Sequence, residues 1–174
     1  MQSLSLRGFS RLLPVALLAL AIQRVVFASF SIADVKVQFV LALVVAAGAA
    51  GGSDRGAVAG FVLGLLVDLS GNTPVGLVAL AYGLGGMTAG YIQTLAPDAQ
   101  WYLQALFAGL GAAVGEAAIP AIDVVAGNSG WMTKELFVEV PMVAVAAMLF
   151  APALMWPGRW MMSVKRKKWK AIPE

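Results

Sequence analysis

Six long apolar runs follow one another along this chain, separated by short breaks of glycine, proline and small polar residues. That succession constrains the fold more than any single motif does. A hydrocarbon layer roughly 30 Å thick is crossed by about 20 apolar residues in helix, and in lipid every backbone polar group must be satisfied inside the segment. The runs therefore predict an all-α integral membrane protein, a bundle of six transmembrane helices. Composition agrees: 60% of the 174 residues are hydrophobic and only 12% charged, against roughly a quarter charged in a soluble domain. The first run stands behind Arg7 and Arg11 like a signal peptide, but further apolar runs and no polar domain follow it, so it reads as a retained helix.

The breaks place the helices at 12–30, 35–51, 56–69, 74–95, 101–126 and 136–156, forming one membrane domain over 12–157. Residues 1–11 precede it, and a basic tail follows at 158–174. Gly51-Gly52-Ser53-Asp54, Ser70-Gly71-Asn72-Thr73-Pro74, Ala96-Pro97-Asp98 and Gly127-Asn128-Ser129-Gly130 carry the turn chemistry. The third helix is short. Its fourteen or so apolar residues span only about 21 Å, so it extends back through Gly52 or re-enters the layer sheltered by its neighbours.

Charge orients the bundle. Six crossings put Arg7, Arg11, Arg55, Arg159, Lys165, Arg166, Lys167, Lys168 and Lys170 on one side, and only Lys36 and Lys134 on the other. The cation-rich side is expected to be cytoplasmic, with both termini there. Trp101, Trp131, Trp156 and Trp160 fall at helix ends, the depth that indoles favour.

Glycine recurs every fourth residue through Gly52, Gly56, Gly60 and Gly64, and Asp68 continues the spacing. A ridge of bare backbone lets a second helix approach closely. That helix belongs either to this chain or to a partner. Leucine in the ridge is expected to be damaging and alanine milder. Gly83, Gly86, Gly90, Gly111 and Gly115 are further close-contact candidates. Asp68 ends an apolar helix and is placed to cap the next one through the Ser70–Thr73 turn.

Three more ionisable groups lie inside apolar runs: Arg24, Glu116 and Asp123. Glu116 and Asp123, seven residues apart, share a helix face, with Pro120 between them as a source of a kink. Arg24 either pairs internally with Glu116 or extends to the outer headgroups. In the tail, Lys165, Arg166, Lys167, Lys168 and Lys170 are expected to hold the C-terminus against anionic lipids; nucleic acid is not an expected partner this close to a membrane helix. The chain has no cysteine and no histidine, so no cofactor or metal site is expected and the commonest general base is missing.

The segment from Gly60 to Leu80, with Gly64, Asp68, Gly71, Pro74 and Gly76 in it, resembles the signature of the bacterial rod shape-determining MreD family. There a glycine-rich helix ends in aspartate, a small polar turn follows, and a Leu/Pro-x-Gly element enters the next helix. Length, helix count, short loops and a basic C-terminal end also agree. The resemblance implies a non-enzymatic scaffold of the cell-wall elongation complex. It would bind MreC directly and connect through the complex to MreB, RodA and a class B penicillin-binding protein. Arg24 and Glu116 match no family feature and inherit no role from it.

The same resemblance carries a likeness to six-helix substrate-binding subunits of energy-coupling-factor transporters, which makes small-molecule capture the alternative function. Against it, the Ala-x-x-x-Ala docking surface of those subunits is absent. Ala16, Ala19 and Ala21 are followed four residues on by Leu20, Gln23 and Val25. An intramembrane aspartyl protease is disfavoured too, because Asp68 follows Leu65-Leu66-Val67 and not a glycine-x-glycine run.

Overall fold

The computed structural model describes residues 6–25, 31–32, 35–36, 38–71, 74–96, 99–127 and 136–161. The described chain is all-α: α1 (Leu6–Val25), α2 (Phe39–Gly51), α3 (Ser53–Ser70), α4 (Leu77–Leu95), α5 (Trp101–Val125) and α6 (Leu136–Met161). A two-residue antiparallel pair, β1 (Ser31–Ile32) with β2 (Val35–Lys36), reverses the chain between α1 and α2.

Several helix limits differ from those the sequence predicts. The first helix begins at Leu6, inside the stretch expected to precede it, because arginine and leucine extend a helix readily. It is described as far as Val25, not residue 30. The second begins at Phe39 and not at 35, since Val35 and Lys36 pair as strand; a β-branched residue suits that extended backbone. Its first turn is held by Gln23, whose Oε1 accepts from the Val40 N–H at 2.8 Å.

The third helix is not the short one. It gains Ser53–Arg55 and has 18 residues, about 27 Å, whereas α2 has 13, about 20 Å. The fourth begins at Leu77, because Pro74 has no N–H to give and Gly76 adopts φ +102°, ending the turn ahead of the helix. The fifth stops one residue early, at Val125. The sixth runs on through Pro157 to Met161, so the expected tail boundary at 158 falls inside a helix. Lys165, Arg166, Lys167, Lys168 and Lys170, like Trp131 and Lys134, lie outside the described residues.

The short helix is the axis of the bundle. Every residue from Val40 to Ala49 is buried, and α2 touches all five other helices. Its neighbours run in alternating directions. Gly56 lies by Gly86 and Gly64 by Ala79, so α3 and α4 are antiparallel. Gly158 lies by Ala47 and Phe150 by Phe39, so α6 is parallel to α2. Arg24 reaches Ser70, so α1 and α3 end together. One end of the bundle therefore gathers Arg24, Gln38, Asp68 and Gly76; the other gathers Gly52, Gln93, Gln104 and Arg159.

The outer surface is apolar. Leu18, Leu149, Phe137 and Trp156 are 62%, 75%, 82% and 80% exposed. The helices α5 and α6 are each long and apolar enough to cross a membrane.

Candidate functional site: the capped hairpin of α3 and α4

The hairpin is built from absent side chains. Gly56, Gly60 and Gly64 are all buried and all face α4. A Cβ added to Gly60 would collide with the carbonyl oxygen of Tyr82 and stand 2.6 Å from that residue's carbonyl carbon. On Gly64 it would lie 2.6 Å from the Cα of Ala79 and from the Val78 oxygen. On Gly56 it would meet the Gly86 oxygen and come 2.7 Å from the Cα of Gly48. Real Cβ atoms essentially never sit closer than 3.0 Å to such neighbours. Three backbones thus converge at Gly48, Gly56 and Gly86, and the ridge is filled from within the chain. It is not free for a partner.

Of the other glycines singled out from sequence, Gly86 and Gly90 also meet backbone, Gly90 that of Gly52 and Ser53. Gly111 packs on Gly85 and Ala89, and Gly115 on the Leu41 side chain. Gly83 differs: a Cβ there would find its nearest atom 3.5 Å away, in ordinary contact. It lines an apolar groove with Ala57, Phe61, Leu80 and Met87.

At the far end of the ridge, Asp68 is 2% exposed. Its Oδ2 accepts from the N–H groups of Gly76 at 2.9 Å and Ala79 at 3.1 Å, and its Oδ1 from Val78 at 3.2 Å. These are orphan donors of the first turn of α4. Gly76 occupies the cap position and has no side chain to serve them, so a carboxylate from the preceding helix does so. The negative charge also complements the helix dipole. Gly71 and Pro74 shape the loop: the Gly71 N–H donates to the Asp68 oxygen at 3.2 Å and the Pro74 oxygen accepts from Leu77 at 3.2 Å.

Arg24 does not pair with Glu116. Its guanidinium donates to the Ser70 carbonyl oxygen at 2.5 Å and to Ser70 Oγ at 3.2 Å. A cation at a helix C-terminus finds there both unsatisfied carbonyls and the negative end of the dipole, a nearer partner than a carboxylate in mid-helix. The two termini at the hairpin turn are therefore closed by opposite charges, Asp68 on the start of α4 and Arg24 on the end of α3.

Glu116 is buried inside the bundle, 6% exposed, and hydrogen-bonds the Gln38 side chain. Gln38 Oε1 in turn accepts from the Tyr82 hydroxyl at 2.9 Å. The second carboxylate oxygen of Glu116 has no hydrogen-bond partner among the described residues. Asp123 is half-buried two turns further along α5. Gln38 and Tyr82 were not among the residues picked out from sequence, because an amide and a phenol in separate apolar runs leave no spacing pattern. No group of three or more potential metal ligands occurs among the described residues. Comparison with protein-family models, with curated proteins and with solved structures finds no match for this chain.

Proposed function

We propose that all six helices cross a bacterial cell membrane, with both termini cytoplasmic, and that the chain is a non-enzymatic scaffold of the cell-wall elongation complex. The observation that carries this reading is the hairpin itself. The segment resembling the MreD signature, Gly60 to Gly76 and on into α4, is one packed and capped unit in which glycines, aspartate and turn each have a mechanical task. A rigid hairpin with its polar atoms satisfied is what a structural component needs.

The six-crossing part of the reading is supported by the alternating helix directions and the apolar outer surface. It is also supported by the position of α2, which is too short to span about 30 Å unaided but is shielded from lipid on all sides. In this reading MreC is the direct partner, and MreB, RodA and a class B penicillin-binding protein are reached through the complex.

Affinity capture of the full chain from dodecyl maltoside tests the function. The expected co-purifying protein is a single-span, coiled-coil partner, and recovery of ATPase subunits in its place would move the chain to the transporter class. Topology is tested separately by a reporter fused at Glu174. A cytoplasmic signal is expected, and a periplasmic one would rule out the even number of crossings.

A further inference from the structure

The end of the bundle away from the Asp68 turn carries a cleft of about 290 Å³ with mixed polar and apolar lining. It is walled by the α2–α3 turn at Gly52, the last turns of α4 at Gly90, Gln93 and Thr94, the start of α5 at Gln104, and Arg159 of α6. Its walls are held firmly. Gly90 packs on the Gly52–Ser53 backbone, and Gly158, next to Arg159, allows α6 within 3.1 Å (from an added Cβ) of the Ala47 Cα.

The polar groups in this cleft are unbalanced. Gln93 Nε2 donates to the Ala96 oxygen at 3.1 Å, Gln104 Nε2 to the Ala99 oxygen at 2.9 Å, and Thr94 Oγ1 to the Tyr91 oxygen at 2.6 Å. One N–H of each amide is thereby used on the α4–α5 connection, and the carbonyl ends of both glutamines are left. Gln93 Oε1 is buried with no partner among the described residues. Gln104 Oε1 receives a single long bond, 3.4 Å, from Arg159 Nη2. That is the one hydrogen bond the half-buried Arg159 makes among the described residues, out of five N–H donors that a guanidinium carries. Among the described residues, the cleft therefore presents a planar cation with no carboxylate partner beside two under-used acceptors.

Its depth identifies the ligand. Trp156, Trp160 and Trp101, at the same end, are 80%, 50% and 69% exposed, and exposed indoles at helix ends mark the headgroup level. We propose that this cleft is a headgroup site for a glycerophospholipid, its phosphodiester on the Arg159 guanidinium and its own hydrogen-bond donors on the glutamine carbonyls. A guanidinium matches phosphate in charge and in geometry. Ethanolamine and glycerol headgroups supply donors for Gln104 and Gln93, whereas choline has none. The inference rests on the membrane-spanning reading and is separate from the anionic-surface role expected of the basic tail.

Native mass spectrometry of the full chain, with dioleoyl phosphatidylethanolamine, phosphatidylglycerol or phosphatidylcholine added singly, tests it. One ethanolamine or glycerol lipid is expected to be retained roughly tenfold more than the choline lipid, about the value of one hydrogen bond from the headgroup to a glutamine carbonyl. Arg159→Gln should abolish that retention, and Arg159→Lys should restore part of it. Gln104→Leu, which leaves the cation in place, should erase the discrimination against choline and serves if the arginine variant does not fold. Neutralising Lys165, Arg166, Lys167, Lys168 and Lys170 should leave the retained lipid unchanged. Equal retention of all three lipids, loss with the tail variant in place of Arg159→Gln, or displacement by excess inorganic phosphate would each overturn the lipid site. In a separate flotation assay, failure of the chain to float with vesicles made of these three lipids would instead overturn the membrane reading on which it stands.

Discussion

Gly60 on α3 and Gly109 on α5 both sit where a neighbouring helix presses closest, yet they meet different things. Against Gly60 stands the backbone of α4, at Tyr82 and Gly83; against Gly109 stands the side chain of Met148, with the Ala144 oxygen further off at 3.1 Å. A methionine has three rotatable bonds and yields to a new methyl group. A helix backbone yields only by moving as a whole. The α3–α4 seam is thus set by main chain and the α5–α6 seam by side chains, so two glycines in similar packing carry very different constraints.

The sharpest way to break this comparison is to add one methyl to the ridge. Gly60→Ala and Gly64→Ala are each expected to cost about 1–3 kcal/mol or more, the range for overpacking a filled core, and Gly60→Leu to prevent folding. Thermal unfolding in dodecyl maltoside reads the effect. Alanine stays milder than leucine, as expected from sequence, but it is not neutral, because the first atom of any side chain already meets backbone. A Gly60→Ala protein with the parent midpoint would show that α3 and α4 slide freely and that the seam is not fixed by main chain.

Asp68 comes next. Asp68→Ala strands the N–H groups of Gly76, Val78 and Ala79, and a buried donor left unpaired costs about 1–3 kcal/mol. Partial solvation of the loop end holds the total near that of a single buried donor. Asp68→Asn, which keeps one acceptor oxygen, is expected to fall between the two. The same thermal assay, with amide exchange at Val78 and Ala79, checks it: fast exchange at those two positions alone is the signature of a lost cap.

Both of these features could be read before any coordinates. The four-residue glycine spacing marked the ridge, and an aspartate before a small polar turn marked the cap, because both are local patterns whose physics is complete within some twenty residues. The sequence did not say what the ridge faced. Gly86 and the Tyr82 oxygen lie on another helix, and no spacing within α3 refers to them. For Arg24 the Glu116 alternative fails for the same reason: exposed at the end of the bundle, as the headgroup alternative requires, it holds a carbonyl at the end of α3, which every sequence has. The start of α2 was placed four residues early because hydropathy cannot tell a strand pair at 31–36 from helix. The polar chain of Tyr82, Gln38 and Glu116 was invisible, being assembled from two helices and the residue that precedes a third.

On the α5–α6 side, Gly109→Ala is expected to change stability by no more than about 1 kcal/mol. The helix gains roughly that much when alanine replaces glycine, and the displaced Met148 loses a similar amount of packing. Pairing it with Met148→Ala sharpens the point. If the methionine is what absorbs the methyl, the double variant should lose less than the two single losses added together. Strict additivity would mean that the α5 and α6 backbones, not Met148, take up the change.

Gly83 provides the smallest effect and the strictest control, since it belongs to the same seam as Gly60 but points elsewhere. An added Cβ meets nothing nearer than the Ala57 oxygen at 3.5 Å and the Phe61 Cβ at 3.8 Å, and it projects into the apolar groove beside Leu80 and Met87. Gly83 carries no positive φ that would bar a side chain. Helix propensity then decides the sign, favouring alanine over glycine by at most about 1 kcal/mol in water. Gly83→Ala is expected to leave the midpoint unchanged or raise it slightly, and Gly83→Leu to fold, with its side chain lying along the groove. The value of this pair lies in its distance from the ridge, one residue from Tyr82, whose oxygen blocks Gly60. If Gly83→Ala destabilises as much as Gly60→Ala, α4 is intolerant of any added atom along its length, and close backbone approach at three ridge positions is not what sets the sensitivity of the hairpin.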